Sequence, residues 1–152
     1  FWIEHKRKEL ERVMGKVDLV IINEREAREL CKTPNLVAAG RKILKMGPKR
    51  VIVKKGEDGA LMFSDKSTFI APSYPLETVV DPTGAGDSFA GGVIGYLSTK
   101  DKLDEGAFRQ AMIYGTVIAS HTVEGFGTGK IANISKSSLD KRFSEMRELI
   151  RF

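Results

Sequence analysis

The 152-residue chain contains one cysteine and one tryptophan, and no apolar run approaches the ~20 residues that a membrane-spanning helix requires. Cys31 alone cannot form an internal disulfide, and the N-terminus lacks the pattern of a signal peptide. These absences predict a cytoplasmic protein that does not contact a membrane. The chain starts with Phe1 instead of Met, and a helical pattern follows at once, so we expect it to begin inside a larger protein.

Charge of one sign is not concentrated in any part of the sequence. The formal net charge of +5 suits an anionic partner, but the basic residues are spread along the chain and interleaved with acids. This distribution is typical of solvated helix faces and not of the basic stripe that binds nucleic acid. We therefore expect no nucleic acid as a partner.

Apolar runs alternate with segments of helical spacing along the whole chain. The patterns predict strands over 17–22, 50–54, 60–63, 68–70 and 78–80, and helices over 4–15, 24–31, 36–46, 87–98, 104–122 and from Ser138 onward. A glycine-rich loop is expected over 123–133. Strands that alternate with helices predict an α/β fold with a mostly parallel sheet, to which the segment near 59–71 adds an antiparallel hairpin.

The segment Asp81–Asp87 reads Asp-Pro-Thr-Gly-Ala-Gly-Asp and lies between a predicted strand and a predicted helix. Its glycines leave backbone amides open to a ligand, and free amides and the helix dipole at a helix start favour an anion. Asp87 lies in the first helical turn, where it can accept a proton from a hydroxyl as a phosphoryl group arrives. A plainer interpretation stays open, in which Thr83 is an N-cap and Asp87 a first-turn acid.

Glycine is used unusually in and after this segment. Gly125–Lys130 does not form a P-loop, because its glycine spacing is wrong and Ile131 replaces the required Ser or Thr. Gly91, Gly92 and Gly95 lie inside the predicted helix, where each costs about 1 kcal/mol relative to Ala. We therefore expect another helix or a nucleotide to approach that helix closely.

Residues 81–92 closely resemble the second signature of the ribokinase-like (PfkB) carbohydrate kinase family. Asn23–Glu26 looks like the family's N-x-x-E motif, and Val53–Gly59 looks like its nucleotide-binding strand and G-x-x-G turn. The resemblance implies a ribokinase-like three-layer α/β/α fold. Residues 1–152 would be its C-terminal nucleotide-binding and catalytic portion, without the N-terminal substrate and lid portion.

The resemblance also assigns roles to matching positions. Asp87 would be the catalytic base that contacts the substrate hydroxyl. The anion hole for the transferred phosphoryl group would consist of the amides of Gly84, Ala85 and Gly86. ATP would contact Gly84 and Gly86 and lie along three further residues, Lys54, Gly56 and Gly59. For Lys54 a surface lysine at the end of a strand is the competing interpretation.

Metal ions are implied at two places. Asn23 and Glu26 would organise Mg²⁺ through water, although an N-cap and an exposed first-turn acid are the alternatives for this pair. A monovalent cation such as K⁺ would have as candidate ligands Asp81, Thr83, Ser120, Val123 and Gly125. His121 is interpreted as a helix-end histidine without a partner, and Phe126 as a residue beside the adenine or a buried loop anchor.

The function implied by the resemblance is an enzyme that transfers a phosphoryl group from ATP to a hydroxyl of a sugar or nucleoside-like molecule, with this fragment alone inactive. The alternative is a catalytically incomplete nucleotide-binding fragment or a partner-binding module. Because half of a sheet would expose an apolar edge, we expect a homo-oligomer or pairing with the missing N-terminal half.

Overall fold

The computed structural model describes residues 1–151, which divide into two compact units with a boundary between Ile70 and Ala71. The first unit contains four helices and a sheet whose last strand extends one residue past the boundary. Its elements are α1 (Trp2–His5), α2 (Arg7–Met14), β1 (Leu19–Asn23), α3 (Glu24–Cys31), α4 (Leu36–Leu44), β2 (Arg50–Lys54), β3 (Ala60–Ser64) and β4 (Thr68–Ala71).

The sheet is mixed and has the order β1-β2-β3-β4. β1 and β2 run parallel, with Asn23 opposite Lys54, whereas β2 and β3 run antiparallel, with Val51 opposite Phe63. The antiparallel part arises because a single 3₁₀ turn, Gly56–Asp58, connects β2 to β3, and so short a connection allows only a reversal of direction.

Alternate residues of the strands face the helices of this unit. Val51, Val53 and Phe63 join one buried cluster with residues of α3 and α4, among them Leu30 and Ile43. Leu30 and Ile43 are fully buried, and burying a side chain of this size contributes roughly 1.5–3 kcal/mol.

Cys31 belongs to the same cluster and lies at the end of α3. Its Sγ donates to the carbonyl oxygen of Ala39, on α4, over 3.4 Å. Burial raises the pKa of the Cys31 thiol, which keeps it protonated in the folded chain. The thiol therefore acts here as a small apolar side chain that joins two helices.

The second unit is helical in its described part. It contains α5 (Ala85–Leu97), α6 (Glu105–Thr122), α7 (Gly129–Ala132) and α8 (Lys136–Leu149), with α6 packed against both α5 and α8. Asp104 begins α6, because its side chain accepts a hydrogen bond from the amide of Ala107 over 2.9 Å. None of the described helices is long and apolar enough to cross a membrane.

Several sequence-based predictions differ from the structure. The predicted strand 78–80 is wrong, because residues 72–84 form neither strand nor helix and Val80 donates its amide to Val123 instead of to a neighbouring strand. The last helix begins before the predicted start at Ser138, because Ser135 and not Ser138 caps α8 and accepts from the amide of Ser138. The predicted helix 4–15 is interrupted at Lys6 into α1 and α2. The predicted loop 123–133 contains the short helix α7.

The glycines of α5 separate into two kinds. A Cβ at Gly92 would lie only 2.9 Å from the Cα of Gly115, so this position lets α5 and α6 approach closely. A Cβ at Gly91 or Gly95 would meet no atom within 4 Å in the described part of the chain. The expected approach of another helix is thus confirmed at Gly92.

Two neighbouring substitutions should therefore have opposite effects. Gly92→Ala is expected to lower the free energy of unfolding by about 1–3 kcal/mol, because the new methyl group forces two backbones apart. Gly91→Ala should raise it by about 0.5–1 kcal/mol, because Ala favours the helix and the site is open. Urea unfolding of both variants tests this, and equal effects would show that α5 and α6 do not meet at Gly92.

Candidate active site

The segment before α5 forms a tight turn that the sequence explains residue by residue. The side chain of Asp81 accepts the amide of Thr83 over 2.9 Å, and Pro82 accepts the amide of Ala85 over 3.2 Å. Gly84 has φ 79° and ψ −5°, the values that the third position of a type II turn requires, and glycine adopts them without strain. Thr83 is thus a turn residue and not the N-cap of α5.

The start of α5 lacks a side-chain cap. In the described part of the chain, the amides of Gly84, Gly86 and Asp87 donate to no backbone or side-chain acceptor, while the amide of Ala85 is engaged in the turn. Four other helices, α3, α4, α6 and α8, differ, because a side chain accepts from the first turn of each, whereas α2 also begins without a side-chain cap. Unpaired amides at a helix start attract an anion, and the exposed carboxylate of Asp87 lies beside them.

The turn is attached to the end of α6. The carbonyl oxygen of Val123 accepts the amides of both Val80 and Asp81, over 2.8 and 3.2 Å. The amide of Thr83 lowers the pKa of the Asp81 carboxyl, because it stabilises the charged form. Asp81 therefore stabilises the turn in two ways: its amide binds Val123, and its carboxylate accepts the amide of Thr83.

An ion pair lies directly after Val123. Arg142, on α8, donates to both carboxylate oxygens of Glu124 over 2.9 and 3.1 Å, and also to the Oγ of Ser120 over 3.1 Å. The Arg142 guanidinium holds the pKa of Glu124 below its ordinary value. Sequence reasoning missed this pair, because the two residues are 18 positions apart and no local pattern links them.

His121 has a partner, contrary to the sequence-based interpretation. Its Nδ1 lies 3.4 Å from Glu124, and its Nε2 is buried and lacks a hydrogen-bond partner in the described part of the chain. Burial, and next the charge of Arg142, lower the pKa of His121, so the ring is neutral near pH 7 and the helix dipole does not stabilise a positive charge there. Phe126 is 77% exposed and is therefore no buried loop anchor.

The remaining predicted residues lie in the first unit, at the ends of parallel strands. Asn23 caps α3 and forms a capping box with Glu26: each side chain accepts the other residue's amide, over 2.8 and 3.1 Å. Lys54 ends β2 directly beside Asn23. After it, Gly56 and Gly59 have φ angles of 60° and 83°, and the amide of Lys55 donates to the carbonyl of Gly59 over 2.7 Å.

The fit of metal ions differs between the two predicted places. The second carboxylate oxygen of Glu26 is not used by the capping box and suits an ion that keeps its waters. In the described part of the chain, no group of three or more His, Cys, Asp and Glu side chains could enclose a metal. A monovalent cation fits poorly, because the Val123 carbonyl already accepts two amides and Arg142 places a positive charge beside Ser120.

Comparisons with known proteins identify the family of the chain. The chain matches the pfkB family carbohydrate kinase over residues 1–134. It is 38% identical over 103 residues to the cytidine kinase of Thermococcus kodakarensis, which covers 66% of this chain and 37% of that protein. It is 34% identical over 125 residues to the nucleoside kinase of Methanothermobacter thermautotrophicus, which covers 82% of this chain and 37% of that protein.

Solved structures share the fold. Aminoimidazole riboside kinase from Salmonella enterica, complexed with aminoimidazole riboside and an ATP analog, superposes with a TM-score of 0.82 at 23% identity, over 92% of this chain and 46% of that chain. Ribokinase from Thermotoga maritima superposes with a TM-score of 0.74 at 26% identity, over 88% of this chain and 44% of that chain.

The chain therefore belongs to the pfkB carbohydrate kinase family and has a ribokinase-like α/β fold. The family and the α/β fold that the resemblance of residues 81–92 implied are both confirmed. The chain spans less than half the length of these relatives, 37% of the cytidine kinase and 46% of the aminoimidazole riboside kinase.

The neutral His121 should make stability depend on pH. The pKa of His121 is lower in the folded chain than its ordinary value of 6.5. Below pH 6.5, His121 therefore binds a proton more readily in the unfolded chain than in the folded chain. This contribution to the free energy of unfolding is thus complete above pH 6.5 and is lost as the pH falls toward the folded pKa. Urea unfolding between about pH 8 and about pH 5 should show a smaller loss for His121→Gln than for the wild type.

The exposed His5 provides the control. His5→Gln makes the same substitution at an exposed position and shows what the change from histidine to glutamine does outside a buried site. If the free energy of unfolding of His121→Gln falls with pH as steeply as that of the wild type, burial of the neutral His121 is not the cause of the pH dependence.

Proposed function

We propose that this chain is the nucleotide-binding and catalytic part of a kinase that transfers a phosphoryl group from ATP to a hydroxyl of a sugar or nucleoside-like molecule. The observation that carries the proposal is the uncapped start of α5, where unpaired amides lie beside an exposed carboxylate, within residues that match the family. Relatives named cytidine kinase and nucleoside kinase support this class of substrate.

The residues of the turn have different roles in the proposed transfer. The amides of Gly84 and Gly86 donate to the oxygens of the phosphoryl group, where negative charge develops during transfer. The amide of Ala85 takes part if its hydrogen bond to Pro82 is shared. Asp87 accepts the proton of the attacking hydroxyl and orients its oxygen toward phosphorus.

The first unit, taken by itself, carries further groups that suit a nucleotide. Lys54, Gly56 and Gly59 line the path of ATP, because two glycines with positive φ expose backbone between β2 and β3. Glu26 and Asn23 hold the waters of a magnesium ion, and when bound this ion neutralises charge on the phosphates. No step is assigned to a monovalent cation, although a Vibrio cholerae fructokinase structure contains fructose, ADP and potassium ion.

A second candidate is a nucleotide-binding module that catalyses no transfer by itself. The length of the chain favours it, since the chain covers 37% of the cytidine kinase and of the nucleoside kinase that it matches. Pairing with a further substrate-binding portion, or between copies, and location in the cytoplasm stay predictions. Calorimetry with MgATP, run beside a transfer assay with cytidine, ribose and fructose, separates the candidates: binding without turnover indicates the module.

Replacing the proposed base tests the mechanism directly. Asp87→Asn keeps the shape of the side chain and leaves the amides in place, so MgATP affinity should change by less than about threefold. Turnover should fall by roughly 10²–10⁴-fold, the usual contribution of a general base. The measurement of turnover is a coupled assay of ADP release in a longer protein that contains this chain, and MgATP affinity is measured in the chain itself.

Asp101→Asn is the matched control, because Asp101 is an exposed acid in the connection after α5. It should leave both turnover and MgATP affinity unchanged. Normal turnover in Asp87→Asn would exclude Asp87 as the base, and failure of the wild type to bind MgATP would exclude the proposed function.

A further inference from the structure

Arg142 is engaged on three sides and is only 16% exposed. Its two terminal nitrogens donate in parallel to the two oxygens of Glu124, and one of them also donates to Ser120. The ring of Tyr74 lies 4.9 Å from the guanidinium carbon. A parallel pair of charge-assisted hydrogen bonds fixes the direction of the carboxylate as well as its charge.

Glu124 directly follows the carbonyl group of Val123 in the chain. The peptide group between Val123 and Glu124 is planar, so its oxygen and the Cα of Glu124 lie in one plane. Holding the Glu124 side chain therefore restrains the orientation of the Val123 oxygen. That oxygen is the acceptor for the amides of Val80 and Asp81.

The segment that is bonded to the Val123 oxygen has few other restraints near the turn. Residues 72–84 form neither helix nor strand, and Val80 is 41% exposed. Asp81 then passes the restraint on, because its carboxylate accepts the amide of Thr83. Hydrogen bonds, joined by the covalent backbone between Val123 and Glu124, thus lead from α8 to the turn that opens α5.

We propose that Arg142 is a positioning residue that acts through Glu124 to hold the turn 81–87 in its anion-binding conformation. The restraint on the turn follows from the contacts alone. Its consequence for a phosphate ligand rests on the proposed function. Arg142 touches neither substrate nor phosphate in this proposal.

The competing explanation is that the ion pair only fastens α8 to the unit. A second link of α8 allows the two to be distinguished: the hydroxyl of Tyr74 donates to Glu145 over 2.8 Å. Tyr74→Phe removes this link and retains the ring beside Arg142. It therefore weakens the docking of α8 without changing the hydrogen bonds of Glu124.

The test is hydrogen exchange of individual amides in the 152-residue chain, measured by NMR. In Arg142→Lys and in Glu124→Gln, the amides of Val80 and Asp81 should exchange at least about tenfold faster relative to the amide of Val93, inside α5. Lysine retains the charge but not the parallel pair, and glutamine retains the shape but not the charge. In Tyr74→Phe the same ratio should stay within about twofold of the wild type.

The double variant gives a second criterion. If the two residues act in one path, Arg142→Lys combined with Glu124→Gln should accelerate exchange no more than the stronger single variant. Additive effects, an unchanged ratio in both single variants, or an equal change in Tyr74→Phe would each overturn the proposal. Because two different single variants are used, poor folding of one does not prevent a decision.

Calorimetry with MgATP completes the experiment. Both single variants should bind MgATP about tenfold more weakly than the wild type, since a loosened turn must be ordered on binding, and Tyr74→Phe should not. If the wild type itself does not bind MgATP, the proposed function fails while the exchange rates still decide the role of Arg142. Equal MgATP affinity in all variants beside accelerated exchange would overturn the link between the turn and the ligand.

Discussion

Helix α5 begins without a side chain that accepts hydrogen bonds from its first amides. The other contacts near this end of the second unit depend on that deficit of hydrogen-bond acceptors. A helix start of this kind is a cost to the folded chain unless water or a ligand supplies the missing acceptors. Gly84 makes the deficit possible, because its φ of 79° brings the chain into the helix through a turn in place of a cap. The same feature that weakens the helix is suited to an anion.

A turn built on unpaired amides needs support from elsewhere. The support comes from the end of α6, where one carbonyl oxygen of Val123 accepts two amides of the preceding segment. The close contact of α5 and α6 at Gly92 and Gly115 keeps both ends of this arrangement on one rigid pair of helices. Rigid support of this kind matters for transfer chemistry, because small errors of position reduce rates strongly.

Local patterns could be predicted from the sequence, and distant pairings could not. The bounds of α3 and β2 were predictable because a cap and a β-branched run are properties of neighbouring residues. The strand expected at 78–80 failed because β-branched residues need a partner strand, and none pairs with Val80 in the described part of the chain. The turn 81–87 was visible as a motif, but the pair Arg142 and Glu124 that supports it depends on tertiary packing.

The single thiol of the chain lies in the first unit, in the buried cluster of α3 and α4. A thiol-labelling reagent can react with Cys31 only after that cluster opens, since the side chain is buried and protonated in the folded chain. The labelling rate is therefore a native reporter of local opening in the first unit. The molecule carries this reporter without any engineered label, at a position remote in sequence from the turn before α5.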